Sequence, residues 1–137
     1  MKYAVSFILV LFSSCKSISK ANGQGDFPTG KYQVVKLENE MYKPYKDYIL
    51  NVSSDENSIN GTFDCNTFTI DFERNGNVVK FGYGMATKMY CDGKMHNESA
   101  FFKSTQNMTS YSYSKGELVF YNMDKEVVLE LKLVESE

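Results

Sequence analysis

Thr67-Phe68-Thr69-Ile70-Asp71-Phe72-Glu73-Arg74-Asn75-Gly76-Asn77-Val78-Val79-Lys80-Phe81-Gly82-Tyr83 decides the fold class. Phe68, Ile70 and Phe72 recur at every second residue with polar side chains between them, the period of a strand with one face buried. Asn75-Gly76 follows, the dipeptide that most favours a two-residue hairpin, because both central residues of a type I′ turn need positive φ. The return strand is expected over 78–83.

The same rhythm runs outward in both directions. Residues 31–37, 48–52 and 58–63 read as strands on the N-terminal side. On the C-terminal side come 109–114, a turn at Lys115-Gly116, and Leu118-Val119-Phe120-Tyr121. A second turn at Asn122-Met123-Asp124-Lys125 precedes 127–133, where Leu129, Leu131 and Leu133 alternate with Glu130 and Lys132. One segment departs from alternation. Residues 97–108 carry an Asn at the cap position and apolar or half-apolar positions at 101, 102, 105 and 108, the spacing of a short helix capped by Asn97. Aromatic content is 15% with no Trp, a composition that suits strands. The expected fold is mainly β, an antiparallel meander curled into a small barrel-like sheet, with one short α-helix over an open end.

The first residues form an address rather than a fold. Lys2 gives a positive start, Tyr3 to Phe12 an apolar run, and Ser13-Ser14 the small residues before a cleavage point. The run is about ten residues, too short for a helix across a ~30 Å hydrocarbon core. Cys15 directly after the two serines resembles the lipobox of bacterial lipoproteins, with Phe12 where Leu is most common. That resemblance implies a signal peptide at 1–14 and a lipidated Cys15 at the mature N-terminus. Each buried methylene of such an anchor contributes ~0.8 kcal/mol. Residues 15–29 follow as the lipidated cysteine and a polar, Gly/Ser-containing tether, and 30–134 remain for one domain. No acidic run follows Cys15. The expected location is the cell envelope, lipid-anchored at the outer membrane and facing the periplasm, with the membrane as the first partner.

Composition narrows the function classes. The net charge is −2 and no stretch is strongly basic, so nucleic acid is not an expected partner. His96 is the only histidine, so any Ser-His-Asp or Cys-His device would have to use it, and between Met95 and Asn97 it reads as a solvated turn residue. There is no Gly-x-Ser-x-Gly elbow and no His-Glu-x-x-His helix, and Gly82-Tyr83-Gly84 lacks the third glycine of a nucleotide loop. No enzyme activity and no cofactor are expected. Tyr42, Tyr45 and Tyr48 alternate with Lys43 and Lys46 around Pro44 and form the candidate contact surface for an envelope protein or small ligand. The competing expectation is that two of these rings close one end of the barrel.

Several segments together carry a family likeness. Gly61-Thr62-Phe63-Asp64-Cys65-Asn66 resembles the "G-x-x-x-C-N" segment of META-domain (HslJ-like) proteins, and Met85-Ala86-Thr87-Lys88-Met89-Tyr90-Cys91 resembles their "T-x-M-x-C" segment. Glu98 with Phe101-Phe102 is similar to the helix that follows, Gly116-Glu117-Leu118 to a later strand pair, and Gly30-Lys31-Tyr32 to the opening strand. Tyr32 stands where Trp is usual, and Asp64 where Gly more often precedes the Cys. The resemblance implies a small β-barrel-like domain, often on envelope lipoproteins, associated with heat shock and envelope stress, and it marks Asn66, Thr87 and Met89 as family positions. It supplies no catalytic residue. Gly30-Lys31-Tyr32 also echoes the opening of lipocalins, which makes a lipocalin-like small-ligand carrier the alternative.

Two cysteines remain after Cys15. In an exported chain, Cys65 and Cys91 are most simply one disulfide. Two buried thiols are the second reading. The third is a Cu(I) site, since Met85, Met89, Cys91, Met95 and His96 fall close together and soft sulfur favours that ion. Met at strand spacing more commonly fills core gaps, so no metal is assigned.

Overall fold

The computed structural model describes residues 26–136, so the leader, Cys15 and residues 16–25 of the expected tether lie outside the described residues. The chain runs through β1 (Gly30–Leu37), β2 (Ile49–Ser53), β3 (Ser58–Thr62), β4 (Thr67–Asn75), β5 (Val78–Phe81), β6 (Met85–Ala86), α1 (His96–Thr105), β7 (Ser110–Ser114), β8 (Glu117–Tyr121) and β9 (Val127–Ser136). All pairings are antiparallel, and β3 pairs with β4 as well as β2, so eight of the strands close a barrel in meander order. The short β6 lies outside that ring, paired to β4 through Phe68↔Ala86 and Thr69↔Met85.

Alternation places the core. Tyr32, Leu50, Ile59, Ile70, Leu118, Phe120, Leu129 and Leu131 point inward and are fully buried. In β1 the rhythm slips at Val35. A bulge between Val34 and Lys36 leaves both Val35 and Lys36 outside and returns Leu37 to the interior. Gly30 opens this strand because a Cβ there would meet the Glu135 carbonyl oxygen of β9 at 2.1 Å.

Two hairpin turns solve the same problem differently. At Lys115-Gly116 both residues have positive φ, the type I′ pattern. At the β4–β5 turn the loop residues are Gly76-Asn77 rather than Asn75-Gly76, since Asn75 still pairs with Val78. Only Gly76 has positive φ there, so the turn follows the II′ pattern with glycine first.

Each end of the barrel is filled by aromatic side chains. At one end α1 sets Phe101 against Phe63 and Phe68, with ring centroids 5.1 and 5.0 Å apart. At the other, Phe27 packs on Phe72 and Tyr111, and the Arg74 guanidinium lies 4.8 Å over its ring. Phe27 thus belongs to the core. Residues 26–29 are part of the folded unit rather than of the tether, because a buried aromatic of this size stabilises by roughly 2–3 kcal/mol and ties the entry segment down.

The helix corrects one expectation. Its N-cap is Met95, with no side-chain capping bond, and Asn97 lies inside the first turn, fully buried. His96 opens the helix and buries an Nε2 that has no partner among the described residues, so it is not a solvated turn residue. The helix stops at Thr105, and Met108 reaches the core from the turn beyond it.

Candidate functional site

The polar chemistry gathers where the β3–β4 connection, Phe63-Asp64-Cys65-Asn66, meets the first turn of α1. A tight connection leaves backbone groups without ladder partners, and side chains supply them. Asn66 is the hub of the first cluster. Its Oδ1 accepts from the Met89 N–H at 2.8 Å and the Thr87 hydroxyl at 3.0 Å. Its Nδ2 donates to the Met89 carbonyl and to Glu98 Oε1, while its backbone N–H donates to Glu98 Oε2 at 3.2 Å. The Thr87 hydroxyl also accepts from the Thr67 N–H. The family positions Asn66, Thr87 and Met89 therefore converge on one latch, centred on the buried Asn66, with the buried Glu98 of the helix as its fourth member. Beside it Cys65 and Cys91 are joined in a disulfide with Cα atoms 5.9 Å apart. Latch and disulfide together fasten the 84–95 segment to the barrel.

A second cluster sits two residues away on the connection and one residue away on the helix. Asp64 Oδ1 accepts from the Tyr48 hydroxyl at 2.6 Å, and Oδ2 accepts from Asn97 Nδ2 at 3.0 Å. The same Asn97 amide bonds the Lys43 backbone in both directions, receiving its N–H at 2.8 Å and donating to its carbonyl. Burial works against the charged form of Asp64. The Tyr45 and Tyr48 hydroxyls, the Asn97 amide and the Lys46 ammonium outweigh it and hold the carboxyl below the usual aspartate value. Burial, then the bond to Asp64, raises the Tyr48 phenol. Burial and the charges of Asp64 and Asp47 raise Tyr42 to about 12.

The three tyrosines separate in space. Tyr48 is a core residue tilted against Phe63, Tyr42 is half-buried against both, and Tyr45 alone is exposed, at 60%. The expected contact surface shrinks to Tyr45 and the edge of Tyr42. Lys46 lies 5.9 Å from the Tyr45 ring and 5.4 Å from that of Tyr48.

Metal and carrier readings meet specific obstacles. The Cys91 sulfur is taken by the disulfide, which leaves a Cu(I) site only Met85, Met89, Met95 and His96. Among the described residues no group of three His, Cys, Asp or Glu is placed to hold a metal ion. Clefts of about 400, 440 and 420 Å³ lie between α1 and the β8–β9 turn, outside β4 and β5, and beside Met89 and Met95. None is lined by Tyr32, Leu50, Ile59 or Leu131, which fill the barrel.

A small eight-stranded meander barrel, plugged at one end by a helix latched to an Asn-Cys-bearing connection, defines the class of protein. The family model described as the META domain matches residues 25–135, and the chain belongs to that family. Two solved structures share the fold. One is an NMR structure of a protein from Burkholderia xenovorans, 12% identical, with a TM-score of 0.57 over 77% of this chain and 82% of that one. The other is a crystal structure of a DUF4847 family protein from Bacteroides vulgatus, 14% identical, with a TM-score of 0.56 over 81% of this chain and 96% of that one. No curated protein matches the chain significantly.

Sequence reasoning missed the second cluster. Asp64 was visible only as a departure from the family pattern, Tyr48 as one of three tyrosines, and Asn97 as a cap. Nothing in the spacing of residues 48, 64 and 97 announces that they meet.

Proposed function

We propose that the chain is a non-catalytic lipoprotein of the bacterial cell envelope, held by lipid on Cys15 at the outer membrane and facing the periplasm. Its META barrel acts as a binding or stress-protective module. The observation that supports this best is where the reactive side chains are spent. Asp64, Glu98, Asn66, Asn97, Thr87 and Tyr48 all bond one another or the backbone across the β3–β4 connection, so they hold the fold. Contacts with a partner then fall to exposed loop side chains, with Tyr45 and the edge of Tyr42 as the leading surface.

Two measurements test this. Intact mass and membrane fractionation of the exported chain should find Cys15 acylated, and Cys15→Ser should move the protein to the soluble periplasm. A photo-cross-linking residue in place of Tyr45 should capture a defined envelope component that the same residue at Lys115, across the barrel, does not. Equal capture at both positions would sink the contact surface while leaving the anchor intact.

A further inference from the structure

Four of the exposed large apolar side chains fall on one short segment, Tyr83, Met85, Met89 and Tyr90, with Tyr83 at 93% and Tyr90 at 82% exposure. A free loop would fold such groups away from water. This one is pinned. Gly84 packs so closely on Phe102 that a Cβ would meet the ring at 2.0 Å, Met85 and Ala86 pair with β4, Asn66 grips Met89 through both backbone groups, and Cys91 is bridged to Cys65. Lys88 and Lys94 flank the apolar groups and have no ion-pair partner among the described residues, while Asp92, the acid between them, accepts from the Tyr90 hydroxyl. Beyond Tyr83, Glu73 of β4 lies opposite Lys80 of β5, and Asp71 lines the same cleft.

We propose that this pinned segment docks on an anionic phospholipid surface, seating the barrel against the membrane that carries its anchor. Three observations commit the site to lipid rather than to a peptide. Tyr83, Met85, Met89 and Tyr90 each stay more than half exposed although Met89 and Tyr90 edge a cleft of about 420 Å³, and a protruding set suits a fluid, deformable surface. Tyrosine with methionine is the pairing of a wet end and an apolar body that the headgroup boundary accommodates, and two unpaired lysines complement anionic headgroups. The reach is sufficient. Residues 16–25 span at most about 35 Å when extended, against about 25 Å of β4 between the rim at Thr67 and Arg74, which holds Asp26. The inference rests on the anchored-module reading only for that reach.

The chain has no tryptophan, so a single one reports its own surroundings. The full chain is reconstituted into phosphatidylcholine vesicles containing phosphatidylglycerol, carrying Tyr90→Trp or Met123→Trp. Met123 is equally exposed at 82% but lies on the β8–β9 turn. Lipids brominated in the upper acyl chain should quench the reporter at 90 about twofold or more and leave that at 123 unquenched. Lys88→Ala and Lys94→Ala should each lower the docked-to-undocked ratio about fivefold. Equal quenching at both sites, none at either, or quenching at 90 indifferent to both lysines overturns the proposal. Flotation with phosphatidylcholine vesicles that lack phosphatidylglycerol, where the anionic docking is removed, reports the anchor separately. If the chain fails to float, the Cys15 reading fails, and the same reporters are read with the chain added from solution to the same vesicles.

Discussion

The two polar clusters at the helix-capped end share their elements and differ in what they hold. The Asn66–Glu98 latch fastens a segment that crosses the outside of the barrel, and a disulfide fastens the same segment a few residues on. The Asp64–Asn97 cluster fastens the β1–β2 connection through Tyr48 and Lys43, with no covalent help. Neighbouring residues of one connection thus serve opposite sides of the same helix turn. The first cluster centres on the buried Asn66 and Glu98, and backbone groups take part in most of its bonds. The second reaches solvent through Tyr45 and Lys46, which makes its strength depend on pH.

The largest expected effect breaks the first latch. Asn66→Ala removes the amide that serves Met89, Thr87 and Glu98, and leaves a buried carboxylate with only one backbone donor. Buried groups stripped of partners are expensive, and about 3–4 kcal/mol should be lost, a drop in Tm on the order of 10 °C. Removing the disulfide by Cys65→Ser with Cys91→Ser comes next, at about 2–3 kcal/mol, within the usual range for one disulfide. Thermal unfolding of the single lesions and of their combination decides whether they act on one segment. A combined loss equal to the sum would mean the two fastenings are independent; a larger loss is expected, because each holds the segment when the other is gone.

How much of this the sequence disclosed follows from range. The hairpins and the alternating cores of β4, β8 and β9 are local patterns; β4 and β8 appear within a residue or two of their expected limits, and β9 runs three residues further. Asn66, Thr87 and Met89 were legible as a set because they sit in two short segments whose likeness to one family could be recognised. The turn at Gly76-Asn77 was misread because the choice between I′ and II′ depends on which residues of the two strands pair. Asn97 was misread because Asn near a helix start satisfies the capping rule, and only the tertiary fold reveals that Lys43 and Asp64 compete for its amide. Phe27 escaped because a lone aromatic in a polar stretch has no periodicity to join.

Asp64→Asn sharpens the comparison at an intermediate scale. The amide keeps shape and can still accept from Tyr48, so the loss at neutral pH should be about 1 kcal/mol. The sign of the pH effect is fixed by direction. Asp64 in the fold titrates below its unfolded value, so its contribution is complete above the usual aspartate range and disappears as pH falls through the lowered folded value. Wild type and Asp64→Asn should therefore differ at pH 7 and converge in acid. Parallel curves down to the acid limit would show that the carboxylate's charge is not what the cluster uses.

The smallest effect separates the buried from the exposed half of that cluster. Tyr48 and Asn97 approach Asp64 from the interior at 2.6 and 3.0 Å, while Tyr45 approaches it from the solvent side. A hydrogen bond from an exposed hydroxyl competes with water, whereas one made in the interior does not. Tyr45→Phe should leave Tm at pH 7 unmoved and shift the acid transition only slightly. Tyr48→Phe should destabilise at pH 7 and raise the pH at which the Asp64 contribution is lost, because the carboxylate then keeps its burial but loses its shortest donor. If the two phenylalanine variants move the acid transition equally, the solvent side governs the cluster, and Tyr45 is committed to the fold rather than free to meet a partner.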